Sequence, residues 1–336
     1  MPVTVRVDRP VLPIIWLDTS VLFKMSRVIR GTNEPDAGRV IPIREKILAL
    51  VSANKLLCPE ANQDAENFGS PAQFSRAFIH ISRGVRTCRP SEVKLRQEIC
   101  AMRAYLSKSD NVDITVDTLF DGDPITQLNA ANSSPFLIDI EVQKNEDLIA
   151  KLRHARLEIY QLLEELRVRN RSLNVSFSEQ LEREIKGDVS ERLRQVLDIF
   201  CKFNAGQDFN LDQWSGCQPL LSLAKAWELS AGADAGPKAF GEFLNSDHCR
   251  EVPSNLISSH LMAKLMTGSR KIKHGDAMDI SHISTFLPYA DLMIVDAAMK
   301  HLVEELNLAS RYGVACFSLS DSAKIIDWLD GLPASP

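Results

Sequence analysis

Apolar residues follow two different rhythms along the chain. Near both ends they form short runs that stop at an acid. Leu12 to Leu17 (LPIIWL) runs into Asp18-Thr19-Ser20, and helical spacing then resumes at Val21, Leu22 and Met25. Leu56-Leu57-Cys58 is stopped by Pro59, Leu292 to Val295 ends at Asp296, and GVACF fills 313–317. Runs this short and this apolar read as buried strands, because a helix needs ten or more residues. Between them, residues 43–55, 60–83, 276–286, 297–308 and 321–332 carry helical periodicity, with Pro288 ending the stretch that starts at Asp276. Strand and helix alternating at both ends of one chain predict an α/β fold, with one parallel sheet built from distant segments.

The middle differs. Residues 91–108 read as helix, and DNVDITVDTLFDGD (110–123) is acidic with a β-like centre and a turn. Leu148, Leu152, Ala155, Ile159, Leu162 and Leu166 then keep a heptad rhythm, as do Leu181, Ile185, Val189, Leu193, Val196 and Phe200. Arg-Asn-Arg-Ser (169–172) reads as a tight connection, so the two stretches predict an antiparallel helical hairpin around 139–203. A heptad seam can also join two chains, so a homo-oligomer or a protein partner bound through this segment is the competing use of the pattern. Helical stretches at 211–230, 237–244 and 253–268 complete it. The expected organisation is 1–89 and 272–336 as two parts of one α/β domain, with 90–271 a large, mostly α-helical insertion.

Composition narrows the classes. With 336 residues, 39 basic against 44 acidic and a net charge of −5, the chain has no global basic field, so nucleic-acid contact would need a local patch. The basic stretches are Arg76, Arg83, Arg86 and Arg89, Arg167 to Arg171, and Lys264 to Lys273. The last holds Lys264, Arg270, Lys271 and Lys273 and is the first candidate for phosphate contact. Seven scattered cysteines, none in CxxC spacing, argue against a disulfide framework or a zinc ribbon and for a reducing, cytoplasmic setting. No run reaches membrane-spanning length, so no membrane partner is expected.

The chemistry lies in acids placed after strands or at the start of adjoining helices: Asp18, Glu66, Asp279 and Asp296. Each has an ordinary reading. Asp18 suits a helix N-cap, and an acid in a first turn is favoured by the helix dipole. Asp276 and Asp291 are further candidates with equally ordinary readings, and Glu60 or Asp64 could stand in for Glu66. His282 lies on the helix face of Asp279, where a lone histidine is more often simply packed. Converging carboxylates need a compensating charge. Ligation by oxygen alone favours Mg²⁺ or Mn²⁺ over zinc, and such a site suits phosphodiester hydrolysis.

The order of these pieces resembles the PIN-domain-like metal-dependent nucleases. The resemblance rests on IIWLDTS (14–20), the glutamate of CPEANQDAE (58–66), Asp279 opening a helix with Asp296 at the end of the following strand, and GVACFSLSD (313–321) as a last strand. It covers roughly residues 12–85 and 272–332. It implies a PIN-like parallel sheet flanked by helices, with Asp18, Glu66, Asp279 and Asp296 as metal ligands and Ser20 orienting the first carboxylate. It further implies a nuclease acting on RNA, single-stranded, in preference to DNA. Folds of this kind also occur with inert sites, so the alternative is a non-catalytic scaffold acting through the helical insertion.

Overall fold

The computed structural model describes residues 2–61, 78–134, 146–205, 211–232 and 236–332. In chain order its elements begin with β1 (Thr4–Val7), β2 (Ile15–Leu17), α1 (Thr19–Ile29), α2 (Ala37–Ser52), α3 (Pro90–Leu106), β3 (Asn111–Ile114) and α4 (Pro124–Ser133). The long helices α5 (Glu146–Ser172), α6 (Phe177–Asn204) and α7 (Leu211–Ala231) follow, then α8 (Pro237–Leu244), α9 (Pro253–Thr267) and α10 (Asp276–Phe286). The chain closes with β4 (Leu292–Ile294), α11 (Ala297–Glu305), α12 (Leu308–Tyr312), β5 (Ala315–Phe317) and α13 (Ser322–Asp330).

The fold is α/β, and all ladders between these strands are parallel. The chain divides into two compact units. One comprises Asp8–Arg89, Thr115–Ile159 and Phe286–Pro336 and holds the sheet β2-β4-β5. Its register pairs Ile15 with Leu292 and Leu17 with Ile294, then Leu292 with Ala315 and Ile294 with Phe317. A single parallel bridge from Ile14 to Leu57 extends it beyond β2, and Ile15 N–H donates to Leu57 O at 2.9 Å. Every residue of β2 and β4 is buried, as expected of central strands covered on both faces. Helices supply the cover. α2 packs on α1 and α13, burying Val40, Ile43, Ile47 and Val51, and α11 packs on β5.

The other unit comprises Met1–Val7, Pro90–Ile114 and Tyr160–Thr285. α3 packs on α7 and β3, and α6 on α9 and α7. Tyr105, Trp227, Phe240 and Phe243 form one aromatic cluster there. A bidentate pair joins α6 to α3: Arg192 Nη1 and Nη2 donate to the two carboxylate oxygens of the fully buried Glu98 at 2.8 and 3.0 Å.

Three expectations change. This unit is not the continuous segment 90–271: it also takes residues 272–285 and the N-terminal strand β1, which pairs with β3 from Thr4–Asn111 to Val7–Ile114. Arg169 to Ser172 are not the connection but the last turn of α5. The chain turns at Asn174, whose positive φ of 51° and the bond from Val175 N–H to Asn170 O close the helix. The hairpin seam is also not the apolar heptad seam expected: near the turn α5 and α6 meet through a buried polar bond, Asn170 Nδ2 donating to Gln180 Oε1 at 2.9 Å. α6 packs on α9 and α7, while Ile159, Leu162 and Leu166 of α5 stay 49%, 56% and 39% exposed. α7 and α9 offer broad apolar faces of their own, with Leu220, Leu223, Trp227, Ile257 and Leu261 all buried.

Candidate carboxylate site at the strand ends

β2 and β4 run in the same direction in matched register, so whatever follows Leu17 and Ile294 emerges at the same edge of the sheet. Asp18 follows Leu17 directly, and its N–H donates to Ile294 O at 2.8 Å. Asp296 comes one residue further along, after Val295. Adjacent strands lie about 4.8 Å apart, so Asp18 and Asp296 leave the sheet side by side at one edge.

Both are N-caps. Asp18 leaves β2 with φ −62° and ψ 149°, and its Oδ2 accepts from the Ser20 N–H at 3.3 Å and from the Ser20 hydroxyl. Asp296 leaves β4 with φ −66° and ψ 157°, and its Oδ1 accepts from Met299 N–H at 2.7 Å. The ordinary capping role of each acid is therefore real. A cap occupies one oxygen face of a carboxylate that can accept at several, so it does not compete with a second use. Asp18 is buried, Asp296 half-buried.

The neighbouring strand adds two residues that the sequence reading did not single out. After β5, Asp321 and Ser318 form a capping box, with Ser318 N–H and hydroxyl donating to Asp321 Oδ2 at 3.0 and 2.9 Å. Lys300, one turn after Asp296 on α11, donates to the same oxygen at 2.9 Å and lies 3.6 Å from Glu304. The Ser318 N–H and the Lys300 ammonium together hold the Asp321 carboxyl down at about 2. The signals were present: S-x-x-D at 318–321 is a capping-box pattern, and Lys300 stands four residues beyond Asp296.

The other predicted acids are placed differently. Asp279 lies in the first turn of α10, half-buried, with its carboxylate over Gly275, where a Cβ would come within 3.6 Å of Oδ2. It belongs to the unit of Tyr160–Thr285, whereas Asp18 and Asp296 belong to the sheet unit. Asp276 is 1% exposed and spoken for: Arg270 Nη2 reaches its Oδ1 at 3.0 Å, and Lys273 N–H donates to its Oδ2 at 2.6 Å. That makes it a loop anchor, and it corrects the reading of Arg270 as a phosphate contact, because its guanidinium is an internal counter-ion. Asp291 precedes β4 and so sits at the opposite end of the strands. Its oxygens accept from Arg9 Nη1 at 3.2 Å and from Ile14 N–H at 2.8 Å. A depression of about 660 Å³ also opens at that end, lined by Val11, Pro13, Asp291, Gly313 and Trp328 among others. Glu66 and Asp64 lie outside the described residues. Glu60 pairs with Arg86 at 3.1 Å, which takes that arginine from the basic candidates. His282 is buried.

The donors at the strand ends are all oxygens, which suits a hard divalent cation. Among the described residues, no group of three or more histidines, cysteines, aspartates or glutamates comes close enough to hold a metal ion. What the sheet edge shows is two acids, Asp18 and Asp296, that follow adjacent strands. No described helix is long and apolar enough to cross a membrane. No family model, curated protein or solved structure matches the chain.

Proposed function

We propose that the chain is a metal-dependent nuclease that hydrolyses phosphodiester bonds, RNA in preference to DNA, at the strand-end carboxylates. One observation carries the reading: Asp18 and Asp296 follow adjacent, in-register parallel strands and emerge at one edge of the sheet. In an open parallel sheet, ligands bind outside that edge. Asp18 and Asp296 are the first ligands in this reading. Asp279 and Glu66 are the remaining two on the PIN-like pattern, and Ser20 holds Asp18 in place. A bound Mg²⁺ or Mn²⁺ would supply an activated water and neutralise charge on the leaving oxygen. Lys300 brings a fixed cation to the same edge.

The test is cleavage of end-labelled single-stranded RNA and DNA in Mn²⁺, Mg²⁺ or EDTA, comparing the wild type with Asp18→Asn and Asp296→Asn. Asparagine caps a helix about as well as aspartate, so both variants should fold. Cleavage should need metal and fall by on the order of a hundredfold or more in each variant, about 2.7 kcal/mol of transition-state stabilisation. Cleavage that survives both substitutions would place the chemistry elsewhere. Calorimetry with Mn²⁺ separates the second reading, a non-catalytic protein that binds a partner through α5. That reading is favoured by the exposed Ile159, Leu162 and Leu166. It requires neither metal binding nor cleavage.

A further inference from the structure

The segment between α9 and α10 is strapped against one face of α5, and the strapping leaves an open ring and several cations outward. Tyr160, Glu164 and Arg167 of α5 are spaced four and three residues apart and so share a face. Each meets the segment. The Tyr160 ring stacks on His274, centroids 4.1 Å apart and planes 29° from parallel. Glu164 accepts from Ile272 N–H at 3.3 Å, and Arg167 Nη1 donates to Gly268 O at 3.4 Å. Glu164 and Arg167 also hold each other at 2.8 and 2.6 Å, which keeps the Glu164 carboxyl down at about 2. Gly268 is required where the segment leaves α9, because a Cβ there would come within 2.9 Å of Lys264 O. Arg270 is turned inward to Asp276, and Ile272 is buried.

With those residues fixed inward, Lys271 and Lys273 are exposed, as is His274. Arg171 continues the Tyr160–Glu164–Arg167 stripe by another four residues and is exposed too. Residues 264–274 (KLMTGSRKIKH) contain four lysine or arginine residues and no acid. The segment leads straight into α10 and Asp279.

We infer that this strip binds single-stranded nucleic acid, with the exposed His274 ring as a stacking platform for a base and Lys271 and Arg171 as phosphate contacts. An imidazole already stacked on one side is held rigid, and its outer face can take a base of any sequence. Cations spaced beside a ring are what a single strand, with its alternating phosphates and bases, requires. The outward residues of the strip are cations beside a ring, without the apolar anchor that most often centres a protein interface. The inference rests on the nuclease reading only for its purpose, which is to lead a substrate strand toward Asp279.

The test is fluorescence anisotropy of the full chain with labelled single-stranded oligoribonucleotide and oligodeoxyribonucleotide, in EDTA so that nothing is cut. His274→Ala and Tyr160→Ala should each weaken binding about tenfold, while Tyr160→Phe, which keeps the stack, should bind like the wild type. Lys271→Gln should reduce the salt dependence by about one phosphate contact. An abasic oligomer should bind weakly and be indifferent to His274→Ala. Thermal melting of each variant identifies any loss that comes from unfolding. Wild-type affinity in both alanine variants, or no binding by the wild type, overturns the strip. Cleavage with Mn²⁺ that is unaffected by folded His274→Ala would leave the nuclease reading standing and remove the strip. Stack-dependent binding without cleavage would do the reverse.

Discussion

The two ends of the β2-β4-β5 sheet use the same residue type in opposite ways. Asp291, just before β4, is consumed by long-range partners: the Arg9 guanidinium and the Ile14 N–H, both from the N-terminal part of the chain. Asp18 and Asp296, just after β2 and β4, accept from the first turns of their own helices. The difference follows from direction. A parallel strand begins with an N–H that the sheet has not yet paired, and an acid there closes the sheet. It ends by feeding a helix whose first N–H groups converge with a partial positive charge, a setting that stabilises anions and leaves room for more than one contact. Position relative to the strand, more than the acid itself, decides between a splice and a site.

The sharpest way to break this comparison is to truncate one acid at each end. Asp291→Ala leaves the Ile14 N–H unpaired in a residue only 2% exposed and removes one of the three acceptors of Arg9, its carboxylate. The expected loss is about 2 kcal/mol of unfolding free energy, read by urea denaturation, with cleavage by the folded protein unchanged. Asp296→Asn should do the opposite, keeping its cap and its stability while losing activity. An Asp291→Ala protein that is stable yet inactive would erase the distinction.

Much of this frame was legible in the sequence. IIWLDTS, LMIVD and GVACF each carry a short strand, buried throughout in β2 and β4 and partly in β5, and Asp276 to Phe286 is the helix that its spacing describes. What pairs with what was less legible. TVRV at 4–7 alternates over only four residues and meets a partner more than a hundred positions away, at Asn111–Ile114. The heptads of α5 and α6 told that each has an apolar stripe, and nothing in them told that α6 would pack on α9 and α7 while α5 kept Leu162 and Leu166 exposed. The place of Asp291 is legible in the sequence, since an acid directly before a strand lies at the end opposite Asp18 and Asp296. That of Arg270 is not, because its inward turn depends on where Gly268 and Ile272 fix the loop.

A smaller effect sharpens the chemistry of the C-terminal edge. Asp321 is held below its ordinary value of 3.8, at about 2, first by the Ser318 N–H and then by Lys300. A depressed carboxylate contributes stability that is fully present above about pH 4 and is lost as the pH falls toward 2. Lys300 is raised, mainly by its bond to Asp321, so its share is present below the ordinary lysine value and lost at strongly alkaline pH. Asp321→Asn should therefore cost about 1 kcal/mol across the neutral range. The wild-type and variant stabilities should converge as the pH approaches 2. Two parallel curves with no convergence would mean that the pair does not set the acid limb.

The smallest expected effect concerns Ser20, whose hydroxyl donates to the Asp18 oxygen that also accepts the Ser20 N–H. Ser20→Ala leaves that backbone bond, so stability should move by no more than about 0.5 kcal/mol. Its consequence should appear in rate instead. A carboxylate free to rotate loses part of its preorganisation, and cleavage should fall a few-fold in kcat with KM unchanged, about 1 kcal/mol. Ser20→Thr restores a hydroxyl at the same position and should recover the rate. Alanine and threonine that behave alike would reduce Ser20 to an ordinary residue of a helix start. The Ser20 N–H would then be the bond at this helix start that orients Asp18, as the Met299 N–H is for Asp296.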